Sequence, residues 1–170
     1  AQTTIGNPLN EKVRMGSLAG MSQREEVKSQ VQKLLASSQI IYGSLDSIEV
    51  IDADANSGAF ISPILLLNEN PLTSTAVHEV EAFGPVSTLM PYKNIEEAIE
   101  LSKMGKGSLV SSIVTTSTKN AQDYVLGAGA YHGRILVLNN DCAKESTGHG
   151  SPLPTLMHGG PGRAGGGEEM

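Results

Sequence analysis

The sequence predicts an α/β fold on a mostly parallel sheet, and three observations carry that prediction. Strand-like and helix-like stretches alternate from Pro85 to Leu138. The links between them are short, so the order strand, helix, strand, helix, strand reads as consecutive right-handed crossovers in a parallel sheet. The last apolar run, Arg134 to Leu138, is nearly continuous, as expected of a strand covered on both faces.

The elements follow in order. Residues 1–20 mix Gly, Asn, Pro and Ser with scattered apolar positions and read as a loop-like lead-in. Ser22-Gln23-Arg24-Glu25 has the pattern of a capping box, and Val27, Val31, Leu34 and Leu35 recur at helical spacing. A helix from Ser22 to Ala36 follows. Gln39 to Tyr42 is a short strand, and Ile48, Val50 and Ala53 suggest an edge strand. Phe60 to Leu67 is strongly apolar but carries Pro63, which cannot donate to a ladder. That strand therefore lies at an edge or begins near the proline. Pro71 to Val80 reads as a short helical turn and Pro85 to Tyr92 as a strand.

Asn94 has the place of an N-cap with Glu97 three residues on. Ile95, Ala98, Ile99 and Ser102 form the inner face of that helix, and Gly105 and Gly107 end it. Leu109 to Thr116 is a β-branched strand. Ser117 or Thr118 caps a last helix with Ala121, Tyr124 and Val125 on one face, stopped by Gly127. From Asn140 onward the periodicity is lost and Gly, Pro, Ser and His dominate.

Composition narrows the function. A length of 170 residues suits one domain with a real core. The net charge of −6 argues against a nucleic-acid partner, which selects basic faces. No apolar run is long enough for a membrane span, and no secretory leader pattern opens the chain. Cys142 is the one cysteine, so an internal disulfide framework is excluded, which fits a reducing cytoplasm. The chain starts at Ala1 and stops at Met170 just after a glycine cluster. It is therefore expected to be a piece of a longer protein: a single partial domain over 1–170, with 140–170 as an irregular tail.

The most informative stretch is Glu81-Ala82-Phe83-Gly84-Pro85-Val86. A Gly-Pro turn fixes the backbone ahead of a strand, and it aims Glu81 and Phe83 at whatever lies beside the strand's start. One carboxylate can accept from hydroxyls, and one ring can pack a flat group. Locally the stretch is also an ordinary turn.

The hexapeptide resembles the Glu-x-Phe-Gly-Pro-Val motif of the aldehyde dehydrogenase superfamily. Ile5-Gly6-Asn7-Pro8 before it and the strand Gly133 to Asn139 after it resemble further landmarks of that family, in the same order. The resemblance implies a three-layer α/β fold and the later part of a catalytic domain. It implies that Glu81 holds the nicotinamide ribose hydroxyls of NADP or NAD and that Phe83 packs beside that ribose. The family's nucleophilic cysteine would precede Ala1, so no catalytic residue is expected in this chain, and the isolated chain is expected to be inactive. An aldehyde substrate, the remainder of the parent dehydrogenase and a homo-oligomeric parent are the implied partners. The tail from Asn140 to Pro154 resembles the branch of the family that joins such a dehydrogenase to a hydratase-like domain in phenylacetate catabolism, with an oxepin-CoA ring-opening half. Another acyl-CoA-linked aldehyde dehydrogenase is the neighbouring reading. A catalytically silent α/β module contributing packing or subunit contacts is the alternative from a different class.

Other candidates read more simply. Gly160-Pro161-Gly162-Arg163-Ala164-Gly165 matches a dinucleotide fingerprint in letters only. No strand precedes it and no acidic residue follows about 20 positions on, so it reads as a flexible Gly-rich turn. Cys142 has Lys144 and His149 near in sequence, but Asp141 disfavours a thiolate, so a nucleophilic role is not expected. His78, His132, His149 and His158 lack the close pairs of a metal site. The cluster Glu96, Glu97 and Glu100 reads as a solvated helix face. Asn139 reads as a strand-end turn. In the resemblance, Leu156-Met157-His158-Gly159-Gly160 stands in the place of a Pro-Phe-Gly-Gly segment, with Leu or Met replacing the aromatic, so no substrate contact is expected from it.

Overall fold

A computed structural model of the chain describes residues 3–142, 144–145 and 159–165. The elements are α1 (Met21–Leu34), β1 (Gln39–Tyr42), β2 (Ile64–Leu67), α2 (Ala76–Glu79), β3 (Val86–Leu89), α3 (Ile95–Met104), β4 (Ser108–Val114), α4 (Thr118–Ala128) and β5 (His132–Leu138), with short 3-10 turns at Gly129–Tyr131 and Gly162–Ala164. The chain divides into two compact units, Ala1–Pro91 and Tyr92–Met170.

In the first unit, β1, β2 and β3 form a sheet in that order. β1 runs antiparallel to β2, with Gln39 opposite Leu67, and β2 runs parallel to β3, with Ile64 opposite Val86. β2 begins just after Pro63, where a missing donor costs the ladder nothing, and the Ile64 N–H makes the first bond to the Pro85 carbonyl at 2.9 Å. Helix α1 supplies Val27, Val31 and Leu34 to a core completed by Ile61, Ile64 and Leu66. Their spacing is the helical spacing read from the sequence, and each such side chain contributes about 1.5–3 kcal/mol on burial.

One polar side chain lies within this apolar setting. Asn68, only 1% exposed, donates to the Ser37 carbonyl at 2.7 Å and to the hydroxyls of Ser38 and Ser74 at 3.3 and 3.1 Å. Its Oδ1 accepts from the Asn70 N–H at 3.1 Å. The residue joins the end of β2 to the α1–β1 link and to the approach to α2.

In the second unit, β4 and β5 are parallel, from Ser108 opposite His132 to Val114 opposite Leu138. Asn94 caps α3 as expected, its Oδ1 accepting from the Glu97 N–H at 2.9 Å, and Glu97 reaches back to the Lys93 N–H at 2.8 Å. Ser117 caps α4 through the Asn120 N–H at 3.2 Å. Leu101, Tyr124 and Ala128 are the buried side chains of these helices.

The α/β class stands, with two of three strand pairs parallel, and several details differ from the sequence expectation. β3 and β4 belong to different sheets, so only β4–α4–β5 is a crossover within one sheet. Periodicity identifies strands but not their partners. The side chains of β5 are half-buried, not covered on both faces, because β4 is its one described neighbour. The segment 48–53 is no strand; Ile51 alone bridges to Gly6. Ser22 does not cap α1: Gly20 holds that position, and Ser22 lies inside the first turn. Gly127 does not stop α4, which runs on to Ala128. A Cβ there would lie 2.9 Å from Ile99 Cγ2, so this glycine serves close approach of α3 and α4.

Candidate functional site

The Glu81–Val86 stretch lies between α2 and β3, and its backbone is held from three sides. Pro85 starts the β2–β3 ladder through its carbonyl. The Val86 N–H donates to the Gly84 carbonyl at 2.7 Å, closing a tight turn. Gly84 lies directly on α1: a Cβ there would stand 2.7 Å from Val27 Cγ2 and 3.1 Å from the Ala82 carbonyl oxygen. Only a residue without a side chain lets the turn sit this close. The third tie is Gln23, whose Nε2 donates to the Phe83 carbonyl at 3.1 Å.

With the backbone occupied beneath them, Glu81 and Phe83 face outward. The Phe83 ring is 75% exposed. Glu81 is exposed, and among the described residues its carboxylate has no hydrogen-bond or ion-pair partner. Both line one cleft of about 580 Å³, whose other walls include Met15, Ser17, Leu18, Gln23 and Ile61. The arrangement offers an acceptor-only group and an open aromatic face on a partly apolar wall. It suits a ligand that carries vicinal hydroxyls next to a flat ring.

A second cleft of about 500 Å³ is lined by hydroxyl side chains including Thr4, Ser44 and Ser62. These hydroxyls are used locally. Thr4 donates to the Lys12 carbonyl, Ser44 accepts from the Asp46 and Ser47 N–H groups, and Ser62 donates to the Pro63 carbonyl. They hold turns and leave little converging on the space.

The remaining candidates have structural partners. Cys142 Sγ accepts from the Asn139 N–H at 3.4 Å and lies 3.6 Å from the Val137 carbonyl. Asn139 Oδ1 accepts from the Asp141 and Cys142 N–H groups at 2.9 and 3.1 Å, which is the strand-end turn expected of it. His78 Nε2 lies 2.8 Å from the Pro71 carbonyl oxygen. His149, His158, Leu156 and Met157 lie outside the described residues. Among the described residues no group of three or more His, Cys, Asp or Glu could hold a metal ion. Glu97 and Glu100 pair with Lys93 and Lys103 at 4.0 and 2.9 Å on a solvated face. The glycine run at 160–165 is a built turn: the Arg163 N–H donates to the Lys106 carbonyl, and the Gly160 N–H to the Gly165 carbonyl.

Sequence reasoning missed two features. Gln23 is one; its place at the third position of α1 is the signal that could have found it. The other is a cluster around His132. Its Nδ1 lies 2.7 Å from Ser108 Oγ, its ring stacks on Tyr124 with centroids 6.3 Å apart, and Tyr124 in turn bonds Ser111. Ser108 Oγ also lies 3.2 Å from the Val110 carbonyl oxygen, and His132 Nε2 is buried with no hydrogen-bond partner among the described residues. Burial holds the His132 pKa below its ordinary value.

Comparison with known proteins gives the family. Protein MaoC of Klebsiella aerogenes is 48% identical over 158 residues, covering 92% of this chain and 45% of that protein. The 3,4-dehydroadipyl-CoA semialdehyde dehydrogenase of Aromatoleum evansii is 36% identical over 157 residues, covering 92% of this chain and 30% of that one. The chain thus spans less than half the length of these relatives. Among solved structures, a betaine aldehyde dehydrogenase from Staphylococcus aureus in complex with NAD+ superposes with a TM-score of 0.77 at 19% identity. It covers 96% of this chain and 30% of that one, a likeness of fold. The model of the aldehyde dehydrogenase family matches residues 1–137. The chain belongs to the aldehyde dehydrogenase family.

Proposed function

We propose that this chain is part of an NAD(P)-dependent aldehyde dehydrogenase and forms the nicotinamide-ribose edge of its active site. The observation that carries the proposal is the pairing of a free Glu81 carboxylate with an exposed Phe83 ring on one cleft. Glu81 accepts from the two ribose hydroxyls, and charge-assisted bonds of this kind are short and directional. Phe83 covers one side of the sugar and limits its tilt. Bound NAD(P)+ supplies the hydride acceptor; the residues of this chain orient it and carry out no bond-making themselves. The nucleophilic cysteine belongs to a part of the dehydrogenase outside this sequence, and the 170-residue chain alone is without activity.

The substrate is an aldehyde, and a CoA-linked semialdehyde of phenylacetate catabolism is the best-supported class. Support comes from the 36% identity to a dehydrogenase named for a CoA-linked semialdehyde and from the 48% identity to Protein MaoC. The dehydrogenase acts in the cytoplasm as a homo-oligomer, with NADP or NAD as acceptor. A second reading treats the chain as an α/β module for packing or subunit contacts; exposed Val114 and Leu126, at 77% and 86%, favour it locally.

Glu81→Gln in the full-length dehydrogenase tests the proposal. Losing a charged acceptor costs about 1.5–3 kcal/mol, so single-turnover hydride transfer is expected to slow by about ten- to a hundredfold. An unchanged single-turnover rate would sink the assignment.

A further inference from the structure

We propose that Gln23 is a positioning residue for this edge, holding the Glu81–Phe83 backbone in place through a two-ended amide. The inference rests on the cofactor-edge reading above and adds a residue that the motif itself does not contain.

The geometry is specific to glutamine. The Oε1 atom accepts from the Ala19 N–H at 3.1 Å, and Nε2 donates to the Phe83 carbonyl at 3.1 Å. The two partners have opposite polarity, so they fix which end of the amide faces which way. Ala19 precedes the N-cap Gly20, so the acceptor end ties the segment entering α1 to the helix's first turn. The donor end spans 60 residues of sequence to reach the motif. Methionine, of similar length, would supply neither bond. Glutamate would keep the acceptor for Ala19 but set a carboxylate oxygen against the Phe83 carbonyl. Asparagine is one carbon too short to serve both.

The motif has little else to hold it. Val80 still donates to the Ala76 carbonyl, as the end of α2, and Pro85 already belongs to the sheet. For the peptide groups of residues 81–84, the described hydrogen bonds are the Gly84 carbonyl with Val86 and the Phe83 carbonyl with Gln23. Gly84 rests on Val27, which lies one turn along α1 from Gln23 on the same face. Helix α1 thus holds the loop at two adjacent points: an apolar seat at Val27, and the Gln23 bond that fixes the Phe83 peptide plane. Releasing the bond lets that plane rotate, and the ring and the Glu81 carboxylate then sample orientations that no longer match one ligand pose.

The test uses Gln23→Met and Gln23→Glu in the full-length dehydrogenase. Amide hydrogen exchange is followed across residues 80–86 in cofactor-free protein, and the affinity for reduced dinucleotide is read by its fluorescence. Both variants are expected to exchange faster across this segment and to bind the dinucleotide about three- to tenfold more weakly. The aldehyde KM should stay near the parent value. Unchanged exchange and affinity in both variants would overturn the proposal. Weaker binding in Q23E alone would also overturn it, because an added charge beside the cleft then explains the effect. Should Q23M not fold, exchange in Q23E decides, since its acceptor still holds Ala19. If E81Q weakens binding and the Gln23 variants do not, only the positioning role fails. If E81Q is also without effect, the reading of the cleft fails with it.

Discussion

Glu81 and Phe83 stand free on a main chain held at three points: a turn, a helix contact and a side-chain amide. The hexapeptide singled out both residues in the sequence through its Gly-Pro turn and through the family motif it resembles. Gln23 was legible only in part: the third position of α1 marks a capping side chain, but the Phe83 carbonyl it also holds lies 60 residues away. His132 was hidden for the same reason, its partners Ser108 and Tyr124 coming from other elements. It yields a prediction at this scale. Ser108 and Tyr124 face the ring, and no acidic side chain among the described residues offsets the burial that lowers its pKa. As pH falls below about 6.5 the unfolded chain takes up the proton first, so stability drops from there down to the folded pKa. Urea denaturation at pH 7.5 and pH 5 should show this loss, and His132→Gln should reduce it. An equal loss in the variant would remove His132 from the account.

Helix α1 is the element on which the first unit is organised: its Val27, Val31 and Leu34 face meets β2, and its Gln23–Val27 edge carries the motif loop. Its apolar face was readable because helical spacing is local. Its cap was misread because Ser22-x-x-Glu25 fits the capping-box pattern two residues late. In the structure, Glu25 pairs with Arg24 at 3.1 Å instead. The cap at Asn94 was read correctly, and Ser117 is one of the two residues offered for α4; each contact spans only three residues. Asn68 joins elements that sequence cannot bring together. Asn68→Leu keeps roughly the volume but leaves the Ser37 carbonyl and the Asn70 amide without their partner. A loss of about 2 kcal/mol in unfolding free energy is expected by urea titration. A midpoint equal to the parent's would mean that Asn68 only fills space.

At the scale of the whole molecule, the alternation of strands and helices fixed the α/β class, while pairing stayed out of reach. β3 and β4 are consecutive strands separated by one helix, the pattern of a single crossover, yet they pair in different sheets. Which strand lies beside which depends on contacts distant in sequence, and no local period encodes them. The same holds for β5, whose apolar run fits a strand covered on both faces though its side chains are half-buried in this chain. The chain matches its family over residues 1–137 and spans 45% and 30% of two relatives, so the function proposed for it belongs to a larger assembly of which Glu81 and Phe83 are one wall. The most direct test of that claim is a crystal structure of the full-length dehydrogenase with its dinucleotide bound. The Glu81 carboxylate is expected at about 2.5–3.0 Å from both nicotinamide ribose hydroxyls, with the Phe83 ring against the sugar. A dinucleotide seated in ordered density with Glu81 turned to solvent would contradict it.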